Sequence, residues 1–128
     1  FTTQSSTMKL FTHNMLSSKD VNGVKVGYPL RIVAKDIKIS ESEFNKEFVK
    51  SIISKINWKV FVNAAMQIGY GKDLSEELIN NYENNEEYLK KVHHLLMEVE
   101  VMNGELICPE THRVFPISDG VPNLLNED

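Results

Sequence analysis

Only one cysteine, Cys108, occurs in the 128 residues. A single thiol excludes an internal disulfide, which fits a reducing compartment. Long apolar runs are missing too, and nothing approaches the ~20 consecutive apolar residues that a membrane helix needs. The opening "FTTQSST" has neither the basic start nor the apolar stretch of a secretory signal. Residues 1–7 are therefore expected to be a leader or a cloning remnant, with Met8 as the native start. Positive charge is also scarce. Lys and Arg number 14 against 18 Asp and Glu, a net charge of -4, which argues against non-specific nucleic-acid binding. The balance is uneven: bases outnumber acids from Arg31 to Lys59, and acids dominate from Glu76 to Glu110. That pattern reads as solvated helical faces, or as a weak basic patch near RNA.

The signatures of chemistry are absent as well. A structural zinc site needs four nitrogen or sulfur ligands. Cys108 has Thr111 where a second cysteine would stand, so Cys108, His112 and His13 make at most three ligands. His93 and His94 are adjacent on a helix, about 100° apart, and cannot both face one ion. One is expected packed and the other exposed. Pro109 separates Cys108 from His112 and nothing orients the histidine, so a buried thiol is expected rather than a nucleophile. "GYGKD" lacks the Gly-Lys-Ser/Thr ending of a phosphate loop. No strand, Gly-x-Gly and helix unit exists to take S-adenosylmethionine or a dinucleotide. Glu83, Glu86 and Glu87 suit a helix N-terminus, where acids offset the dipole.

What is present is 41% hydrophobic and 25% charged, enough for a core without staples. "MKLFTHNML" is expected to be a first strand. "YPLRIVAKDIKI" alternates through Leu30, Ile32 and Ala34, then Ile37 and Ile39 after a bulge, and Pro29 suits a strand start. Ser40 and Glu43 fit a capping box, and Phe44, Phe48, Ile52 and Ile56 make a helical stripe. Asn57 caps a second helix with Trp58, Phe61, Val62, Ala65 and Ile68 inward, ended by Gly69. "LSEELINNY" reads as a short helix. Asn84 or Asn85 caps another, in which Tyr88, Leu89, Val92, Leu95 and Leu96 face inward. Period two returns in "EVEVMNGELIC", where Asn103-Gly104 is a hairpin signal, then "RVFPI" as a strand and "SDGVPNLL" as turn and tail. The order predicts an α+β fold: strands from both chain ends, residues 8–39 and 98–128, paired in one antiparallel sheet, with residues 40–97 as a helical insertion. The apolar run "FPISDGVPNLL" is expected to fold over its own core or to cover another protein.

"MKLFTHNMLSS", "YPLRI" and "NYENNEEYLKKVHHLLMEVEVMNGELICPETHRVFPISDGVPNLL" resemble the eukaryotic multifunctional methyltransferase subunit family, the Trm-one-one-two-like activators, over residues 8–126. The resemblance implies a zinc-ribbon-like β domain built from both chain ends, with an inserted helical domain. It implies a non-catalytic subunit that activates and stabilises S-adenosylmethionine-dependent methyltransferases, one at a time as a heterodimer. Their substrates would be tRNA, rRNA, small nuclear RNA and a translation release factor, in cytoplasm and nucleus. No cofactor of its own is implied, and RNA would be met only through the partner, with no membrane involved. Some members hold zinc with two N-terminal cysteines and a C-terminal Cys-Pro-x-Cys. Here only Cys108 matches, with Thr111 at the last position and Ser18 near the first N-terminal one, so Cys108 resembles a remnant of a lost site. Docking is expected by β-strand addition and apolar burial. The candidates are Thr12, Asn14 and Met15 from the first segment, and Phe115, Pro116, Ile117, Val121, Pro122 and Leu124 from the last. Phe115 and Ile117 have the alternative of being core. A small RNA-binding module that presents substrate to an enzyme is the alternative function, and a hydrolase using Cys108 is a third.

Overall fold

Three asparagines set the starts of the helices. In the computed structural model, which describes residues 7–72 and 74–124, Asn45 accepts from the Phe48 amide at the start of α2 (Lys46–Ile53). Asn57 accepts from Val60 at the start of α3 (Trp58–Gln67). Asn85 accepts from Tyr88 at the start of α4 (Glu86–His93). Each side-chain oxygen satisfies an amide that a helix start leaves unpaired. The expected leader up to residue 6, Asp73 of the "GYGKD" loop and Leu125 lie outside the described residues.

The sheet is antiparallel, in the order β1 (Arg31–Ile39), β2 (Val99–Ile107), β3 (Val114–Ser118) and β4 (Val121–Pro122). The α+β class and the pairing of strands from both ends of the chain hold. Ile32, Leu106 and Phe115 lie across three neighbouring strands and are all buried. With Ile117, Val99 and Val101 they join Val49, Ile52, Phe61, Ala65, Leu89, Val92 and Leu96 of the helical segment in a single apolar core. The expected bulge is present as register shifts on either side of Asp36.

Five local expectations are corrected. "MKLFTHNML" is not a strand. Only a single bridge, Lys9 opposite Glu100, joins it to the sheet, with Met8 donating to the Gly120 carbonyl at 2.6 Å and accepting from Val101 at 2.9 Å. The chain then turns into a short helix, α1 (Leu10–Met15), because Leu10, His13 and Asn14 are buried at helical spacing. The capping box at Ser40 is not used. The Ser40 amide donates to the Glu98 carbonyl and the Ser42 amide to the Glu98 carboxylate, which holds the chain extended until Asn45. The stripe shifts accordingly: Val49, Ile52 and Ile53 are buried, Phe44 and Ile56 are half-buried, and Phe48 is exposed. "LSEELINNY" forms no α-helix. Its Ser75 carbonyl accepts from the Trp58 indole, Asn81 has φ 61°, and only a single 3-10 turn, Tyr82–Asn84, follows.

The fifth correction concerns Asn103-Gly104. β2 runs straight through it. A Cβ at Gly104 would collide with the Val33 carbonyl oxygen of the paired strand, so glycine serves close strand approach and not a turn. The two-residue hairpin is made instead by Asp119 (φ 50°) and Gly120 (φ 79°), between β3 and β4. Positive φ at both central residues matches the twist that a short hairpin needs.

Candidate partner-docking surface

The C-terminal knuckle, the turn of residues 108–113 between β2 and β3, is the natural place to look for chemistry. Cys108 is fully buried. Its sulfur accepts from the Ser18 hydroxyl at 3.0 Å and from the amides of Glu110 and Thr111 at 3.4 Å each. Burial pushes the thiol up, but the donors from Ser18, Thr111 and Glu110 outweigh it and hold it at about 7. The Glu110 carboxylate accepts from three consecutive amides, Lys25, Val26 and Gly27, at 2.9, 2.8 and 2.7 Å. Those bonds hold it below the usual carboxylate range. The 18–27 loop is thus fastened to the knuckle by hydrogen bonds at both places.

This donor set does not fit zinc. Hydroxyls of Ser18 and Thr111 stand beside one thiol, whereas structural zinc takes thiolate and imidazole. His13 is buried with its Nε2 2.6 Å from the Leu30 carbonyl oxygen, and His112 is exposed. Among the described residues, no group of three or more His, Cys, Asp or Glu is placed to hold a metal ion. We expect Cys108→Ser to keep the fold and any partner binding, at a stability cost of about 1 to 2 kcal/mol. Urea denaturation and co-purification check this. Loss of partner activity with an unchanged urea midpoint would give the thiol a chemical role.

Ser42, His93 and Glu98 come together but do not form a hydrolytic triad. Ser42 Oγ lies 2.9 Å from His93 Nε2, and Glu98 Oε2 lies 3.9 Å from the same nitrogen. A triad carboxylate must orient the imidazole through its other nitrogen. As expected for the adjacent pair, His93 is packed, while the His94 side chain is 40% exposed.

The surface itself is more informative. The two sides of the sheet treat their free backbone differently. On β1 the Ile32 amide is taken by the Gln67 side chain of α3 at 2.6 Å, and Lys35, Asp36 and Lys38 stand exposed along the rest. Such capping and charge discourage strand addition. On β3 the short β4 pairs only with Ile117 and Ser118, and Asn123 donates to the Pro116 carbonyl. Among the described residues no strand lies beside β3 at Val114. Side chains alternate across a strand, so Val114, Pro116 and Val121 lie on the face opposite the buried Phe115 and Ile117. Val114 is 47% and Val121 49% exposed. Val33 and Ile107 lie half-buried on the same outer face, because Val33 pairs with Glu105 and Ile107 with Val114. Pro116, Ser118, Val121, Pro122, Asn123 and Leu124 line an open groove there.

The candidates from the sequence therefore separate. Pro116 and Val121 are exposed, Pro122 and Leu124 half-buried, and Leu124 packs against the core. Phe115 and Ile117 point inward, each 2% exposed. Asn14 is buried and tied to Asn57 by two hydrogen bonds, which docks α1 on α3. Thr12 is half-buried and donates to the Thr7 carbonyl. Met15 is exposed on α1. Sequence reasoning missed Val33, Ile107 and Val114, although their period-two placement beside buried neighbours carried the signal.

The structure thus defines a small α+β chain with one guarded sheet edge and one open, apolar edge. The chain belongs to the Trm112p-like protein family, whose model matches residues 9–120. It is 48% identical over 122 residues to a Bos taurus multifunctional methyltransferase subunit TRM112-like protein, covering 94% of this chain and 96% of that one. It is 44% identical to the Arabidopsis thaliana subunit TRM112 homolog A, with 94% and 98% covered. Against the Saccharomyces cerevisiae subunit TRM112 the identity is 24%, with 92% and 96% covered. The fold matches a chain of the E. cuniculi Mtq2–Trm112 complex, with a TM-score of 0.55 and 18% identity, over 94% of this chain and 100% of that one. That complex is described as responsible for methylation of the eRF1 translation termination factor. No helix among the described residues is long and apolar enough to cross a membrane.

Proposed function

We propose that this chain is a non-catalytic activator and stabilising subunit that binds S-adenosylmethionine-dependent methyltransferases, one at a time. The observation that carries the docking mode is the uncharged, partly unpaired β3 edge, bordered by the exposed Val114, Pro116 and Val121. A methyltransferase strand laid along it makes main-chain hydrogen bonds, and its apolar neighbours bury the valines. Main-chain pairing demands little side-chain identity, which suits a subunit serving several enzymes. Thr12, Met15, Pro116, Val121, Pro122 and Leu124 are the candidates that face solvent at least in part, and Val33, Ile107 and Val114 extend them. Docking falls on the β part, residues 8–39 and 98–128, with residues 40–97 as the helical insertion. Binding the folded enzyme stabilises it by mass action. The enzymes act on tRNA, rRNA, small nuclear RNA and a release factor, in cytoplasm and nucleus, and RNA is met only through them.

The test is affinity capture of the tagged chain from a eukaryotic lysate, with mass spectrometry and nuclease treatment. The expected result is several methyltransferases in one-to-one, nuclease-resistant complexes. Capture without any methyltransferase, or a salt-sensitive RNA shift by the isolated chain, would overturn the reading.

A further inference from the structure

Two chain crossings join the sheet to the α2–α4 segment. One is the 40–45 loop between β1 and α2, and the other is the π-helical turn His94–Glu98 between α4 and β2. They are fastened to each other by one small polar cluster. The Ser40 amide donates to the Glu98 carbonyl at 2.9 Å. The Ser42 amide donates to Glu98 Oε2 at 2.7 Å, and His94 Nδ1 lies 2.7 Å from Glu98 Oε1. Ser42 Oγ lies 2.9 Å from His93 Nε2. The π turn helps to assemble this set. A regular helix brings i and i+4 together, while a π turn brings i and i+5 together, so His93 and His94 both reach Glu98. The Phe44 ring of the loop then stacks over His93, with centroids 5.6 Å apart, and His93 is 5% exposed.

We propose that Ser42, His93, His94 and Glu98 form a proton-sensitive clasp, in which protonating His93 releases the 40–45 loop. The loop is what buries the imidazole, so a charged ring is favoured by the open arrangement, where water reaches it. Burial is the largest influence on His93 and lowers its proton affinity. Glu98 raises it, and His94 lowers it. The other charged neighbours do not reverse this balance. Lys90 of α4 stands 5.8 Å above the Phe44 ring and is paired with Glu86. On α2, Glu47 and Lys50 pair with each other, and on β2, Glu100 pairs with Lys9. Glu41 and Glu43 of the loop are exposed. The sign follows from linkage. The closed clasp has the lower His93 pKa, so it is fully stable above the ordinary value near 6.5 and weakens as pH falls below it. A release of this kind loosens the connection between the helices and the sheet without unfolding either.

Hydrogen exchange at the Ser40 and Ser42 amides, corrected for intrinsic rates, tests this between pH 7.5 and 5.0. Protection should be flat above about 6.5 and fall below it, towards a limit of roughly tenfold per pH unit. His93→Gln keeps a polar group for Ser42 but cannot titrate, and its protection should lose this fall. His94→Gln should retain it. In the wild-type chain the His93 imidazole resonance should titrate below 6.5. Flat wild-type protection, a fall that survives in His93→Gln, or a His93 midpoint at or above 6.5 would each overturn the proposal.

Discussion

Val114→Asp combined with Val121→Asp is expected to abolish stable association with a methyltransferase while leaving the free chain folded. Both valines are about half exposed, at 47% and 49%, so a carboxylate at either position stays hydrated in the free subunit. Surface changes of this kind shift stability by only about 0.5 kcal/mol. In the complex the same carboxylates would be buried against apolar surface without a partner. Each burial costs about 2 kcal/mol or more. Two well-separated sites add, giving roughly 4 kcal/mol, or about a thousandfold in Kd. Co-expression followed by affinity purification measures the loss, and circular dichroism confirms that the helices persist. A folded double variant that still co-purifies one-to-one would move the interface away from β3 and β4, to the helical segment.

Ile117→Asp should do the opposite and unfold the subunit itself. Ile117 is 2% exposed, pairs with Gly104 and packs in the same core as Phe115 and Leu106. A carboxylate there has no charged partner, and an uncompensated buried charge costs roughly 3 to 5 kcal/mol. That is a large share of the 5 to 15 kcal/mol typical of a domain. Phe115→Ala should cost a similar amount, about 3 to 5 kcal/mol, through the lost contacts and the cavity. The readout is the urea midpoint at neutral pH. An Ile117→Asp chain with an unshifted midpoint would contradict the inward placement of this face. The contrast with Val121 is the point of the pair: a few residues apart across one hairpin, the same substitution removes partner binding in one case and the fold in the other.

The same hairpin shows how far the sequence could be read. "FPISDGVP" alternates, so two faces were evident, but alternation does not say which face meets the core. That is settled by Leu106 and Gly104 of β2, which stand opposite Phe115 and Ile117. The bonding around Cys108 was not legible in the sequence, because the Glu110 carboxylate finds its three amides more than eighty residues earlier in the chain.

By itself the sequence determined whatever depends on neighbours within a turn or two. The asparagine caps of α3 and α4, the apolar stripe of α4, the strand–helix–strand order and the family motif from Tyr82 to Leu125 are all of this kind. Only the tertiary structure decided the rest, wherever a distant partner outbid a local preference. Glu98 holds Ser40 and Ser42 out of a helix they were fit to cap. Met8 reaches Val101 and Gly120, so the segment after it is free to coil into α1. The Val33 carbonyl needs the bare backbone of Gly104 beside it, which turns a hairpin signal into the middle of a strand. Local propensities amount to tenths of a kcal/mol per residue, whereas one buried, satisfied polar contact or one avoided steric clash outweighs several of them.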